Sequence, residues 1–179
     1  MTVLAKLAPD ATDMIRADHA RVLTLFHRYR SDAAPATKRA RVATLCFALE
    51  VHAELEEEIF YPAMASVDRA LVGRFIPEHD RMRSLIGELR SADPAAPQYD
   101  ARVMELMREV LHHVADEETA LLPQAERVLG ERRGELGARM MKRRLALMAP
   151  YALPNPNLLL AAGGLLAGVL LLRQVRRHA

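Results

Sequence analysis

Two short signatures carry the chemistry of this chain. His52 and Glu56 stand four residues apart, and so do His113 and Glu117. On an α-helix that spacing sets an imidazole above a carboxylate on one face. Both faces are otherwise apolar. Leu45, Leu49 and Phe60 continue the first, and Leu106, Val110 and Leu121 continue the second. Ionisable groups therefore occupy core positions, and burying a carboxylate without a partner costs several kcal/mol. A metal ion removes that cost. Imidazole nitrogen and carboxylate oxygen, with no thiolate, suit iron or manganese. His19, ahead of Val22, Leu23 and Phe26, and His79, between Phe75 and Met82, add two more imidazoles on apolar faces.

The signatures are repeated. HAELEEEIFYP from His52 and HVADEETALLP from His113 share His, Glu, Glu and Pro at identical offsets, 61 residues apart. DHARVLTLF from Asp18 is echoed by EHDRMRSLI from Glu78, 60 residues on. Each half thus reads as a helix with an acid-His pair, a loop, and a helix with HxxxE. A lone His on an apolar face is more often a satisfied core residue, and HxxxE is common on helix surfaces. It is the repetition of both signatures with their prolines that favours a metal site. His112 with Asp116 offers an alternative register, but the repeat and the apolar stripe select His113 and Glu117. Glu54, Glu57, Glu58 and Glu118 read as solvated charge runs, Tyr61 as an aromatic at the bundle end ahead of a redox or hydrogen-bonding neighbour of the centre, Cys46 as core packing ahead of a redox sensor, and the methionines as core packing.

Two octahedral ions have twelve ligand positions. Two bridging carboxylates fill four and four histidines four more. An oxo or hydroxo bridge fills two, which leaves two for water, dioxygen or peroxide.

The elements that must position these groups are helices. Apolar residues at a period of about 3.6 outline helix 1 from a cap at Asp10 or Thr12 to Ser31. Helix 2 runs from about Thr37 to Met64. Helix 3 runs from Ser66 or Asp68 to Arg90, interrupted by Pro77, and helix 4 from Gln98 to Val128. Short links between long helices favour an all-α, up-down four-helix bundle. We assign residues 10–130 to this bundle, 131–149 to a basic helical extension carrying Arg139, Lys142, Arg143 and Arg144, and 150–179 to a proline-broken linker and apolar tail. Leu158 to Leu172 is free of charge. At about 22 Å as a helix it is short for a bilayer core of about 30 Å. A transmembrane tail anchor is favoured over docking on the bundle or a partner, and Gly164 and Gly168 add a weak helix-pairing signal.

Composition narrows the function classes. At 179 residues, 51% apolar and 27% charged, the chain has the material for one core. One cysteine excludes a disulfide framework and a thiolate zinc cluster. Residues 1–147 hold 22 basic and 23 acidic residues, which gives no support to nucleic-acid binding. No signal peptide is read at the start. The expectation is a cytoplasmic protein that the tail can attach to the inner membrane.

The chain resembles the hemerythrin-like, HHE cation-binding domain family. DHARV at Asp18, HAELEEEIFYP at His52, EHDRM at Glu78 and HHVADEETALLP at His112 carry the resemblance, across residues 10–130. It implies a four-helix bundle around a non-haem diiron centre with His19, His52, Glu56, His79, His113 and Glu117 as ligands. Oxygen carriers of that family have one more iron-ligating His one turn before the helix 3 histidine, where this chain has Phe75. Glu78, Glu118 and Tyr61 are the nearest residues that could complete the site. The more open centre favours a catalase-like decomposition of hydrogen peroxide. The alternative is a module that binds or senses oxygen or iron without catalysis.

Overall fold

Capping and proline placement set the helix boundaries. In the computed structural model, which describes residues 9–151, the Asp10 side chain accepts from the Asp13 N–H at 3.0 Å and starts α1 (Ala11–His27). Pro35 lies in the first turn of α2 (Pro35–Leu55), where a missing N–H breaks no ladder bond. The rod continues through a wide π turn (Glu56–Phe60) into α3 (Tyr61–Ala65). Asp68 caps the short α4 (Arg69–Val72) through the Leu71 N–H at 2.9 Å. The chain stops there and restarts at α5 (Ile76–Ser91), with Pro77 in its first turn. Pro77 thus restarts the expected third helix two residues before His79. The fourth rod repeats the second: α6 (Pro97–Asp116), a π turn (Glu117–Leu121), then α7 (Leu122–Leu129). Gly130, at φ +49°, turns the chain into α8 (Arg132–Met148), and a short 3-10 turn (Ala149–Tyr151) ends the described segment. At such a φ a side chain would be strained.

Among the described residues the fold is all-α, as expected, but its segments assemble into five helical rods rather than strictly four. α1, α2, α5 and α6 form the bundle, and α8 packs on it against α1 and α2. The basic helix is therefore part of the core assembly. Leu136 and Met140 join the bundle's apolar cluster, and Arg144 is buried. Gly137 makes this approach possible, since a Cβ there would lie 2.2 Å from the Pro9 carbonyl oxygen.

Burial of a Leu or Phe contributes about 1.5–3 kcal/mol, and these contributions fall in two separate clusters. One holds Ile15, Leu55, Phe60, Phe75 and Leu122. The other holds Val22, Leu45, Leu49, Met82 and Val110. A polar layer of histidines and glutamates belongs to neither. Cys46 packs in the second cluster, where burial pushes its thiol up to about 11.

One expectation is corrected. Among the described residues no helix is long and apolar enough to cross a membrane, so none of these helices is a transmembrane helix. The Leu158–Leu172 segment on which that expectation rested lies outside the described residues, as does the rest of the tail.

Candidate metal centre

All six expected side chains meet between the two apolar clusters. His19, His52, His79, His113, Glu56 and Glu117 are each at most 4% exposed. Their inner atoms converge. Glu56 Oε2 lies 3.3 Å from His52 Nε2 and 3.4 Å from His79 Nε2. Glu117 Oε2 lies 3.3 Å from His19 Nε2 and 3.6 Å from His113 Nε2. Ligand atoms of His19, His52, His113 and Glu117 all fall within 4.8 Å of one another, and so do those of His52, Glu56, His79 and His113. The rings form two close pairs, His19 with His52 at 5.0 Å between centroids and His79 with His113 at 4.7 Å.

Several inward atoms lack any hydrogen-bond partner: His19 Nε2, His52 Nε2, Glu56 Oε1 and Glu117 Oε2. Orphaned buried polar atoms are rare. Here they concentrate at one point and are all good metal donors. The donor set therefore fits one or two hard or borderline cations such as iron or manganese.

Local sequence explains how the glutamates are aimed. Each opens a π turn, in which the Tyr61 N–H bonds to the Glu56 carbonyl and the Leu122 N–H to the Glu117 carbonyl. One turn on come Pro62 and Pro123, whose rings would clash with the carbonyl four residues earlier in a regular helix. The widened turn removes that clash and re-aims the carboxylate, a device common at functional sites. Of the two registers, the one with His113 faces the buried cluster, whereas the His112 side chain is 66% exposed.

A second set of residues, of which Glu57 and Glu118 were expected on the solvated face, holds the rings. His79 Nδ1 lies 2.7 Å from Glu57, His19 Nδ1 2.9 Å from Glu118, and His113 Nδ1 3.0 Å from Glu78. Asp18 faces His52 Nδ1 at 3.7 Å. An Nδ1–H aimed at a carboxylate leaves the Nε2 lone pair pointing inward. Glu57 and Glu118 are thus not merely solvated, and Glu78 and Glu118 stand behind the rings rather than at the centre. The signal was in the repeat: Asp18 with Glu78, and Glu57 with Glu118, recur at the same offsets as the histidines.

Tyr61 also needs correction. It is no plain aromatic at the bundle end: its hydroxyl donates to Glu117 Oε1 at 2.9 Å, reaches Glu56 Oε2 at 3.2 Å and lies 3.5 Å from His79 Nε2. Phe75, in place of the extra His, packs edge-on against His113.

Electrostatics set the metal-free state. Burial alone depresses His19, but Glu117, Glu56 and Glu118 outweigh it and raise this imidazole to about 9. Burial dominates at His52, which falls to about 4 despite Asp18. Burial and the neighbouring Glu117 push Glu56 well up, whereas the surrounding histidines outweigh burial at Glu117 and hold it at about 2. The cluster thus carries protons where cations would sit, and metal binding must displace them.

Beside the rings lies a cavity of about 20 Å³, lined by all four histidines and by Val22, Leu49, Met82, Ile86, Val110 and Val114 among others. That is room for about one water-sized molecule.

Residues 10–125 match the family described as the hemerythrin HHE cation binding domain. The chain belongs to this family. A hemerythrin HHE cation binding domain-containing protein from Mycobacterium kansasii, known from a crystal structure, superposes with a TM-score of 0.70 at 21% identity, over 83% of this chain and 94% of that one. This likeness shows a shared hemerythrin-like fold. A protein named DNA nickase from Nostoc sp. is 31% identical over 110 residues. The match takes in 61% of this chain and 31% of that protein's length. The hemerythrin-like architecture and the His/Glu clusters are consistent with binding of iron or dioxygen.

Proposed function

We propose that this chain is a non-haem dinuclear metal protein that binds dioxygen or senses oxygen or iron. Two iron ions are the proposed occupants, with manganese as the alternative, and His19, His52, Glu56, His79, His113 and Glu117 as their ligands. The observation that carries this is the convergence of six buried side chains, four of which (His19, His52, Glu56 and Glu117) hold an inward atom with no hydrogen-bond partner. Bound there, an iron pair supplies a redox-active point of attachment for a small exogenous molecule. The chain's residues supply the rest. His19 and His52 hold one end and His79 and His113 the other, while Glu56 and Glu117 lie between the pairs. Asp18, Glu57, Glu78 and Glu118 fix the rings from behind. Tyr61 donates into the carboxylates and holds their orientation.

The cavity favours binding over peroxide turnover. Although His19, His52, His79, His113, Glu50 and Arg83 also line it, the surface it offers is almost wholly apolar, which suits a small apolar diatomic better than hydrogen peroxide, a molecule that seeks hydrogen bonds at both oxygens. Peroxide decomposition, the chemistry favoured from the sequence, is therefore the second reading.

Elemental analysis after anaerobic loading with ferrous iron tests the proposal. About two irons per chain, lost in a His52→Ala, Glu56→Ala double variant, support it; no bound metal after loading overturns it. On the loaded protein, a reversible absorption change with dioxygen and no gas release from peroxide support the binding reading. Sustained oxygen evolution from peroxide replaces it with the enzymatic one.

A further inference from the structure

We propose that Arg144, carried by the fifth helix, is a positioning residue that acts on His52 through Asp18 and makes the two ends of the centre inequivalent. Arg144 is 7% exposed and its Nη2 donates to Asp18 Oδ2. Asp18 is itself 8% exposed. The oxygen that Arg144 grips is the one that faces His52 Nδ1. The structure contains its own control. The counterpart acid Glu78 faces the counterpart ring, His113, and its Oε2 comes to 3.0 Å of Nδ1. Behind Glu78 stands the exposed His112 at 3.7 Å, with no buried guanidinium.

Two differences therefore fall on one end. Asp18 is a methylene shorter than Glu78, and its oxygen is committed to a cation. The gap to His52 Nδ1 is 3.7 Å, and that nitrogen has no hydrogen-bond partner. An imidazole whose Nδ1–H gives a strong bond to a carboxylate is the more basic ligand at Nε2. His113 has that support, and Arg144 withholds it from His52. The rest of the fifth helix does not explain a buried arginine here. Its neighbour Arg143 already ties the helix down through Glu58, at 2.7 Å and 2.8 Å, and Glu54. Arg144 instead buries a charge, leaves its own Nε without a partner, and meets only the acid behind His52 among the side-chain pairs of the described residues. A guanidinium in that position costs desolvation, which fits a role at the centre better than one in helix docking.

The inference rests on the proposed metal reading only in its iron-loaded arm. In the full-length, metal-free protein, long-range nitrogen–proton NMR on labelled histidine reads the His52 Nδ1–H directly. Arg144→Met frees Asp18 and shifts that proton downfield, with His113 unmoved. Arg143→Met, which loosens the same helix without touching Asp18, leaves His52 in place. Asp18→Glu closes the gap with Arg144 still present and gives the same downfield shift, so the test survives a poorly folding Arg144→Met. In the iron-loaded protein, Mössbauer spectra of Arg144→Met show one of two quadrupole doublets changed, and Arg144→Lys returns it part-way. An unmoved His52 resonance in both Arg144→Met and Asp18→Glu, or equal movement of His52 and His113, overturns the proposal. A wild-type chain that takes up no iron overturns the metal reading instead and leaves the NMR result standing.

Discussion

The two halves of the bundle, residues 11–65 and 69–129, are alike where they face the centre and unlike just behind it. Both place His and Glu four apart, both open a π turn at the Glu, and both follow it with proline. Both cross their outer acids over: Glu57 of the first half serves His79 of the second, and Glu118 of the second serves His19 of the first. The surroundings then diverge. Tyr61 stands where the second half has Leu122, and Phe75 where the first has Ile15. α8 lies against α1 and α2 and not along α5 and α6. The shared part gives the fold the capacity to hold two like ions. The unshared part is where the two ends can be made chemically different.

The shared part is broken most directly at the glutamates. Glu56→Ala and Glu117→Ala should each reduce bound iron from about two per chain to one or none, to the same extent, by elemental analysis. A large inequality between them would break the equivalence of the halves. A pH effect comes next. His19 is raised from 6.5 to about 9, so its contribution to metal-free stability is complete below pH 6.5 and disappears as the pH rises through 9. The loss is about 3 kcal/mol at most by linkage. His52, lowered to about 4, acts only below 6.5 and does not oppose this. Thermal unfolding of the metal-free chain at pH 6.5 and 9 should show the fall, and bound metal, which replaces the proton, should flatten it.

Tyr61→Phe removes the one hydroxyl that distinguishes the halves at the carboxylates. It should destabilise the metal-free protein by about 1.5–3 kcal/mol, the range for a hydrogen bond to a charged group, in urea unfolding. Gly137→Ala sharpens the comparison at α8. Its Cβ would meet the Pro9 carbonyl at 2.2 Å, and overpacking of this kind costs about 1–3 kcal/mol. Gly87 lies within α5, which α8 does not pack along, and a Cβ there meets nothing within 4 Å. Gly87→Ala should therefore stabilise, by about 0.5–1 kcal/mol from helix propensity.

Much of this was legible in the residues. The bundle helices, a cap at Asp10 or Thr12, a kink or restart at Pro77 and the inward-facing histidines and glutamates were read from periodicity, spacing and the repeat. The outer acids were harder to read. Glu57 and Glu118 are exposed enough, at 28% and 38% of their side chains, to pass as solvated charge. Their recurrence at the offset of the histidines was the one hint in the sequence, and their contacts on other helices give them a role. Tyr61 was misjudged for a related reason, because a regular helix does not reveal how a π turn will rotate the residue that follows it.

What the sequence determined by itself was the composition of the inner layer: each half carries its own imidazoles and carboxylate at helical spacing, a local relation that survives any packing. The tertiary structure alone decided which groups stand behind that layer. The pairings Glu57 with His79, Glu118 with His19, and Arg144 with Asp18 join residues 22, 99 and 126 positions apart. Side-chain contacts over such separations depend on how whole helices dock, and no local periodicity encodes them.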